Sequence, residues 1–304
     1  MKHIPVLLSE TIDGLAVRAG GRYVDGTLGR AGHAKEIIAR GGEVLGIDRD
    51  EQALREIGTL AGLTAVRGRH GDLRRIANEN GWQEVDGILL DLGVSSPQLD
   101  EAGRGFSFLR EGPLDMRMDR SRELTAAQLV NGGDAEALAD IFRKWGEEPQ
   151  ARRIARAIAA RVGEGRRFTM TTELADFIER LVGRHGGHHP ATRVFQALRM
   201  AVNDEEGELD AALSDGLGLL RPGGRFAVIT FESITDRIVK RFFASHVGKM
   251  RSLQEGGARW EGELPRVRAV TGKPVVASPH EAESNPRSRS AKLRIVEKIK
   301  EGSK

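Results

Sequence analysis

Four short apolar stretches, at 23–25, 43–48, 64–67 and 87–91, alternate with stretches whose apolar residues recur at helical spacing. A strand followed by a helix and then another strand returns its successor parallel, with the helix laid on the sheet face. This alternation predicts a parallel sheet covered on both faces. Residues 34–39 and 52–57 are its first helices, stopped by Gly41-Gly42 and by Gly58.

The first strand runs straight into Val24-Asp25-Gly26-Thr27-Leu28-Gly29-Arg30-Ala31-Gly32-His33, with glycines three apart leading into a helix. Glycines there let backbone amides come close to a ligand, and the following helix turns its positive end toward it. By itself such a turn is as often an ordinary glycine-rich loop. Asp48 tips the balance: it ends the next strand, about twenty residues on, where a carboxylate reaches the hydroxyls of a ribose lying over the glycines. A nicotinamide dinucleotide would need Gly-x-Gly-x-x-Gly, which this turn does not match. The acid Asp25 before the first glycine suits a cationic sulfonium better than a pyrophosphate, so the residues favour S-adenosylmethionine over the dinucleotide.

The fourth strand ends in Asp91-Leu92-Gly93-Val94-Ser95-Ser96-Pro97-Gln98, which sets an acid, two hydroxyls and an amide at the sheet edge where open α/β sheets bind ligands. A polar turn capped by Asp91 is the plainer reading of that segment alone. It lacks the second glycine of a hydrolase elbow.

Beyond Pro97 strand signals stop for about a hundred residues, and helical ones appear at 135–145, 151–162 and 172–182. In the second of these Ile154, Ile158 and Val162 form a stripe for burial, leaving Arg152, Arg153 and Arg156 on other faces. The sheet pattern resumes with a helix at 209–220, a turn at Arg221-Pro222-Gly223-Gly224, a buried strand at 225–231 and a last strand at 292–297. The expected division of the 304 residues is therefore a discontinuous domain, 1–103 with 205–304, interrupted by an inserted helical domain, 104–204.

Composition narrows the function classes. No apolar run reaches the roughly twenty residues of a membrane span, and residues 4–8, interrupted by Pro5, are too short for a secretory signal. The absence of cysteine removes disulfides, thiol nucleophiles and thiolate metal sites. A cytoplasmic protein is expected. His185, His188 and His189 sit among glycines and before Pro190, a loop rather than a metal site, so no metal is expected. Trp82, Trp145 and Trp260 are expected to pack rather than to stack on bases. A net charge of +3 is modest, but arginines cluster at 152–167 and basic residues again at 287–300. Either cluster is a solvated face or a phosphate-binding surface.

Taken in order, His3-Ile4-Pro5-Val6-Leu7-Leu8, the glycine turn, 86–98, Arg104-Gly105-Phe106-Ser107-Phe108, Gly112-Pro113-Leu114-Asp115-Met116-Arg117-Met118-Asp119, Phe195-Gln196-Ala197-Leu198-Arg199 and Asn285-Pro286-Arg287-Ser288-Arg289-Ser290-Ala291 resemble the bacterial small-subunit ribosomal RNA methyltransferase H family over nearly the whole length. The resemblance implies a class I S-adenosylmethionine-dependent methyltransferase fold, with a Rossmann-like seven-stranded sheet, an antiparallel last hairpin and a helical insertion. It implies methylation of the N4 amino group of a cytidine in the decoding region of 16S ribosomal RNA. The implied partner is that RNA within the assembled small subunit, with a homodimer left open.

Carried over position by position, the family's cofactor contacts fall on Ala31, Gly32, His33, Asp48, Leu73, Asp91 and Gln98. The family usually has glycine in place of Ala31, an aromatic in place of Leu73, and a histidine where this chain has Glu232. Catalysis on an amino group whose lone pair is delocalised into the ring is expected to rest on positioning. Asp91, or a carbonyl in the turn at 93–96, would accept a hydrogen bond from N4. Two rivals stand beside this reading: a nicotinamide-dependent oxidoreductase, and a non-catalytic RNA-binding or assembly protein.

Overall fold

The computed structural model describes residues 5–94, 99–132, 134–184, 187, 189–247, 249–252, 258–261 and 265–300. The chain divides into two compact units, 1–93 with 207–304, and 94–206. The first boundary falls about ten residues before the one expected from strand signals. Val94 and Leu99 already pack with the apolar core of the helical unit, so the chain changes unit as soon as its fourth strand ends.

The first unit opens with helix α1 (Leu8–Gly14), then strand β1 (Arg22–Asp25), α2 (Gly32–Ala39), β2 (Glu43–Asp48), α3 (Glu51–Ile57), β3 (Leu63–Arg67), α4 (Leu73–Glu79) and β4 (Val85–Asp91). The helical unit contributes α5 (Ala126–Gly132), α6 (Ala135–Gly146), α7 (Ala151–Gly163), α8 (Thr171–Val182) and α9 (Thr192–Asn203). After α10 (Glu205–Leu219) come β5 (Leu220–Thr230), α11 (Ser233–Val247), β6 (Lys249–Ser252), β7 (Ala258–Glu261), β8 (Val267–Ala269), β9 (Val275–Val276), α12 (Pro279–Ser284) and β10 (Lys292–Lys298).

The main sheet runs β3-β2-β1-β4-β5-β10-β8, with β9 also paired to β10. β1 to β5 are parallel, whereas β10 is antiparallel to both β5 and β8. This is the class I methyltransferase arrangement. Because side chains alternate across a strand, Val24, Leu45, Ile47, Ile88, Leu90, Phe226 and Val228 share one core with Leu213 and Leu217 of α10 and Phe243 of α11. Tyr23, Val44, Leu89, Ala227, Ile229 and Leu293 share the other with Ile12 of α1 and Ile37 of α2.

The expected turn at 221–224 sits inside β5. Leu220 pairs with Val85 and Arg225 with Gly87, so the four residues between them bulge out opposite one, and Gly223 takes φ 82°. Turn chemistry and strand continuation are both real there.

In the helical unit Phe142, Ile154, Ile158, Phe168, Leu174, Ile178 and Leu198 form a separate core. Its segment around Asp115 is tied down by polar contacts. Asp115 holds Arg117 at 2.7 Å, and the buried Asn203 accepts from the Met118 amide and donates to the Met116 carbonyl, each at 2.8 Å. Those bonds hold Met116 at φ 63°, a conformation that costs an L-residue about 1 kcal/mol or more. Among the described residues no helix is long and apolar enough to cross a membrane.

Candidate active site

From β1 the chain proceeds to β2 on one side of the sheet, whereas β4, on the other side of β1, leads on to β5. Loops leaving the carboxyl ends of β1 and β4 therefore diverge, and the crevice between them is where such sheets take ligands. The loop after β1 is stitched to both neighbours: the Gly26 amide donates to the Leu89 carbonyl at 2.9 Å and the Leu28 amide to Ile47 at 3.0 Å.

Asp48, at the end of β2, accepts the Gly29 amide on Oδ2 at 2.7 Å and the Asp50 amide on Oδ1 at 2.8 Å. Burial raises its pKa, and these two amides oppose the rise. Ala31 sits at φ 60°, the left-handed region where glycine is preferred, with its amide on the Leu28 carbonyl at 2.7 Å. Gly32 answers to a close approach instead, since a Cβ there would lie 2.4 Å from Pro5 Cγ.

Three ionisable groups converge beside this loop. Asp25 is 2% exposed, and burial pushes its pKa up to about 6 against the pull of His33 and the Thr27 amide, which donates to Oδ1 at 3.1 Å. Burial pushes Asp91 up to about 7. About a quarter of the Asp91 side chain stays exposed, yet Oδ1 is enclosed and has no hydrogen-bond partner among the described residues. The Asp91 amide donates to Thr27 Oγ1 at 2.6 Å, which joins the ends of β1 and β4. His33, at the start of α2, lies with Nε2 3.0 Å from the Val6 carbonyl and Nδ1 4.0 Å from Asp91 Oδ2. Its pKa is lowered by burial, with Asp25 and the Val6 carbonyl pulling the other way.

Of the residues expected in the site, the structure gathers Ala31, Gly32, His33, Asp48 and Asp91 around one loop. Leu73 instead starts α4 with no exposed surface, in the core with Leu45, Ile47 and Ile76. Gln98 lies outside the described residues, as do Ser95, Ser96 and two of the three loop histidines, His185 and His188. His189 accepts the Ala191 amide at 3.1 Å, a local turn contact. The Glu232 carbonyl accepts from Asp236, the acid that binds Arg294 at 2.7 Å.

Arg152, Arg153 and Arg156 are exposed on α7, while of the expected stripe Ile154 and Ile158 are buried and Val162 is partly buried against the same core. Arg153 caps the Leu181 carbonyl and Arg156 is 3.5 Å from Glu136. Trp145 donates to Glu206 at 2.8 Å, and Trp82 lies under the Arg22 guanidinium.

Two further residues stand beside the loop. Thr27 follows the first glycine, and a hydroxyl at that place is a fair signal for a bridge between strand ends. His70, after β3, is buried, and burial and the charge of Arg49 push its pKa down to about 3. Its Nε2 has no partner among the described residues. A histidine at a strand's carboxyl end was the legible signal.

Asp25, Asp48 and Asp91 all have raised pKa values, and Asp48 and Asp91 each push Asp25 further up. A cationic ligand would relieve that crowding. The residues therefore fit a sulfonium with a ribose, and no group of three or more potential metal-binding side chains occurs among the described residues.

The model of the MraW methylase family matches residues 1–299. The chain is 46% identical to the ribosomal RNA small subunit methyltransferase H of Shewanella amazonensis, over 98% of this chain and 97% of that protein. It is 47% identical to the protein of that name from Symbiobacterium thermophilum, over 99% and 98%. With that from Magnetococcus marinus it shares 46% identity, over 98% and 99%.

Proposed function

The chain belongs to the MraW methylase family, and from that premise we propose that it methylates N4 of a cytidine in the decoding region of 16S ribosomal RNA, within the assembled small subunit. S-adenosylmethionine, the methyl donor, supplies a methyl group on a cationic sulfur that leaves with the bonding electron pair. The names of the curated relatives support small-subunit RNA as the substrate.

The observation that carries the N4 assignment is Asp91. An amino group on an aromatic ring needs a hydrogen-bond acceptor to localise its lone pair, and its product must lose a proton. Asp91 ends β4 at the crevice with about a quarter of its side chain exposed, and burial pushes its pKa up to about 7, suited to accepting a proton at neutral pH. Asp48 presents oxygens already oriented by two amides, which suits the two ribose hydroxyls. The acid Asp25, beside the glycine turn, balances the sulfonium charge. Leu73 and Gln98 remain proposed donor contacts on the resemblance.

A base inside a duplex cannot reach such a crevice, so the target nucleotide is unpaired or extruded. The exposed arginines of α7 and the basic stretch at 287–300 are the proposed phosphate contacts. Residues 94–206 act as the substrate-binding insertion of a cytoplasmic enzyme.

Mass analysis of nucleosides from small-subunit RNA, from cells with and without the protein, tests the reaction. A methyl group on N4 of one cytidine, present only with the protein, is the expected result. A methyl group on carbon 5 or on the ribose overturns the N4 assignment, and no methyl difference favours the non-catalytic rival.

A further inference from the structure

The chain stays in register where β4 and β5 leave the sheet. Asp91 pairs with Ile229 and the Leu92 amide donates to the Ile229 carbonyl at 2.9 Å, so Gly93 and Phe231, two residues further out, lie side by side. A Cβ on Gly93 would sit 3.2 Å from Cδ2 of the Phe231 ring, and Gly93 takes φ 148°, a conformation that L side chains rarely adopt. The space against the ring is thereby kept clear of any side chain at 93. It is also open: Gly93 is exposed and Phe231 half-buried. Because side chains alternate along a strand, Asp91 and Phe231 turn to the face of Leu89 and Ile229, two residues before each. Asp91 keeps about a quarter of its side chain exposed there.

The turn before β10 lies beyond the same edge, since β10 is antiparallel to β5 with Lys292 opposite Thr230 and Leu293 opposite Ile229. Asp91, Ile229 and Leu293 thus form one row, two strand spacings or about 10 Å across. The short helical turn Pro286–Ser290 is pinned by the buried Ser288, whose hydroxyl donates to the Asn285 carbonyl at 2.8 Å. Arg287 and Arg289 flank it, both exposed. Further along the basic stretch, Asp236 takes up Lys292 at 3.4 Å and Arg294 at 2.7 Å. It is the turn that presents exposed guanidinium groups at this edge.

We propose that this edge seats the target nucleotide, with the base over Gly93 against the Phe231 ring and its phosphate on Arg289 and Arg287. The proposal deepens the reading of an extruded cytidine as substrate and rests on it. A base taken out of its stack loses neighbours on both faces, and an aromatic side chain restores one of them. The stack itself is indifferent to sequence. Selection comes from the rim, where the Asp91 carboxyl accepts from an exocyclic amine but meets only lone pairs on a ring oxygen, so cytosine is favoured over uracil.

Phe231→Leu keeps apolar bulk and removes the flat face, whereas Phe231→Tyr keeps both. In methyl transfer from S-adenosylmethionine to small subunits, kcat/KM is expected to fall about 10- to 100-fold in the leucine variant and to stay within about threefold of wild type in the tyrosine one. Kd for S-adenosylhomocysteine, by calorimetry on the protein alone, should move by less than about threefold in both. Arg289→Ala should raise KM for small subunits about 3- to 10-fold at nearly constant kcat, and make its salt dependence shallower by about one unit of slope. A leucine variant as fast as wild type, a tyrosine variant as slow as the leucine one, or a donor Kd that rises as far as kcat/KM falls overturns the base site. An unchanged KM and salt slope in Arg289→Ala overturns the phosphate contact. The wild-type protein provides a reading that needs no variant. Irradiated with S-adenosylhomocysteine and small subunits containing 5-iodocytidine, it should become joined to RNA at Phe231, as mass analysis of the peptide would show, and crosslinks at other residues alone refute the stack. Methylation elsewhere than N4, with the crosslink and the variant effects intact, refutes only the N4 assignment.

Discussion

The carboxyl ends of β2 and β4 each carry a half-buried aspartate with a raised pKa, and they are built in opposite ways. Asp48 has both oxygens on backbone amides, so its position is settled before any ligand arrives. Asp91 has one oxygen enclosed without a partner among the described residues and the other turned to His33 at 4.0 Å. An acid satisfied by the backbone is an anchor: it can take hydroxyl hydrogens on its remaining lone pairs without moving. An unsatisfied acid is held in a state that a reacting group relieves, at a cost in stability to the empty protein.

The comparison breaks most readily through Asp91→Asn. Single-turnover transfer should fall by about 10³-fold while donor affinity, measured by calorimetry, stays within about threefold. If the rate survives, the two acids do not divide binding from chemistry. The converse change, Asp48→Asn, removes a charged acceptor worth about 1.5–3 kcal/mol, so donor Kd should rise roughly 10- to 100-fold with the saturated rate largely kept. A rate loss as large as that of Asp91→Asn would erase the distinction.

The smallest effect concerns stability. Burial pushes the Asp91 carboxyl up to about 7 in the folded chain, from an ordinary aspartate value of about 3.9. Between those values the folded state holds a proton that the unfolded chain has lost, so this contribution to stability declines as pH rises from about 4 to 7 and is flat above. Asp91→Asn escapes that decline. Its Tm relative to wild type, by scanning calorimetry, should be higher by about 2–4 °C at pH 8 than at pH 5, for about 1 kcal/mol with the side chain partly exposed. No pH dependence of the difference would show that Asp91 ionises freely.

Much of the sheet was legible because its strands are short, mostly apolar runs set between helical stretches and turns, as at 43–48, which the structure reproduces to the residue. The helices α1, α4, α5, α9, α11 and α12 and the strands β6 to β9 were not among the expected elements. α1 and α4 have seven residues each, too few for a periodic pattern to stand out, and α4 begins directly from the turn at His70–Asp72. At the site, Asp48 and Asp91 could be read from their places at strand ends. The role of Gly32 could not, since it depends on Pro5, far away in sequence but seated against it. The Val6 contact that sets the His33 tautomer is likewise a tertiary fact with no local signature.

The stretch Pro5 to Leu7 reaches further than its length suggests. Pro5 lies over Gly32, the Val6 carbonyl holds His33, and the Leu7 amide donates to Glu281 of α12 at 2.8 Å. Val6 and Leu7 are also buried in the core with Ile12 of α1 and Ile37 of α2, so a change in this one short stretch is felt together at the glycine turn, at His33 and at α12.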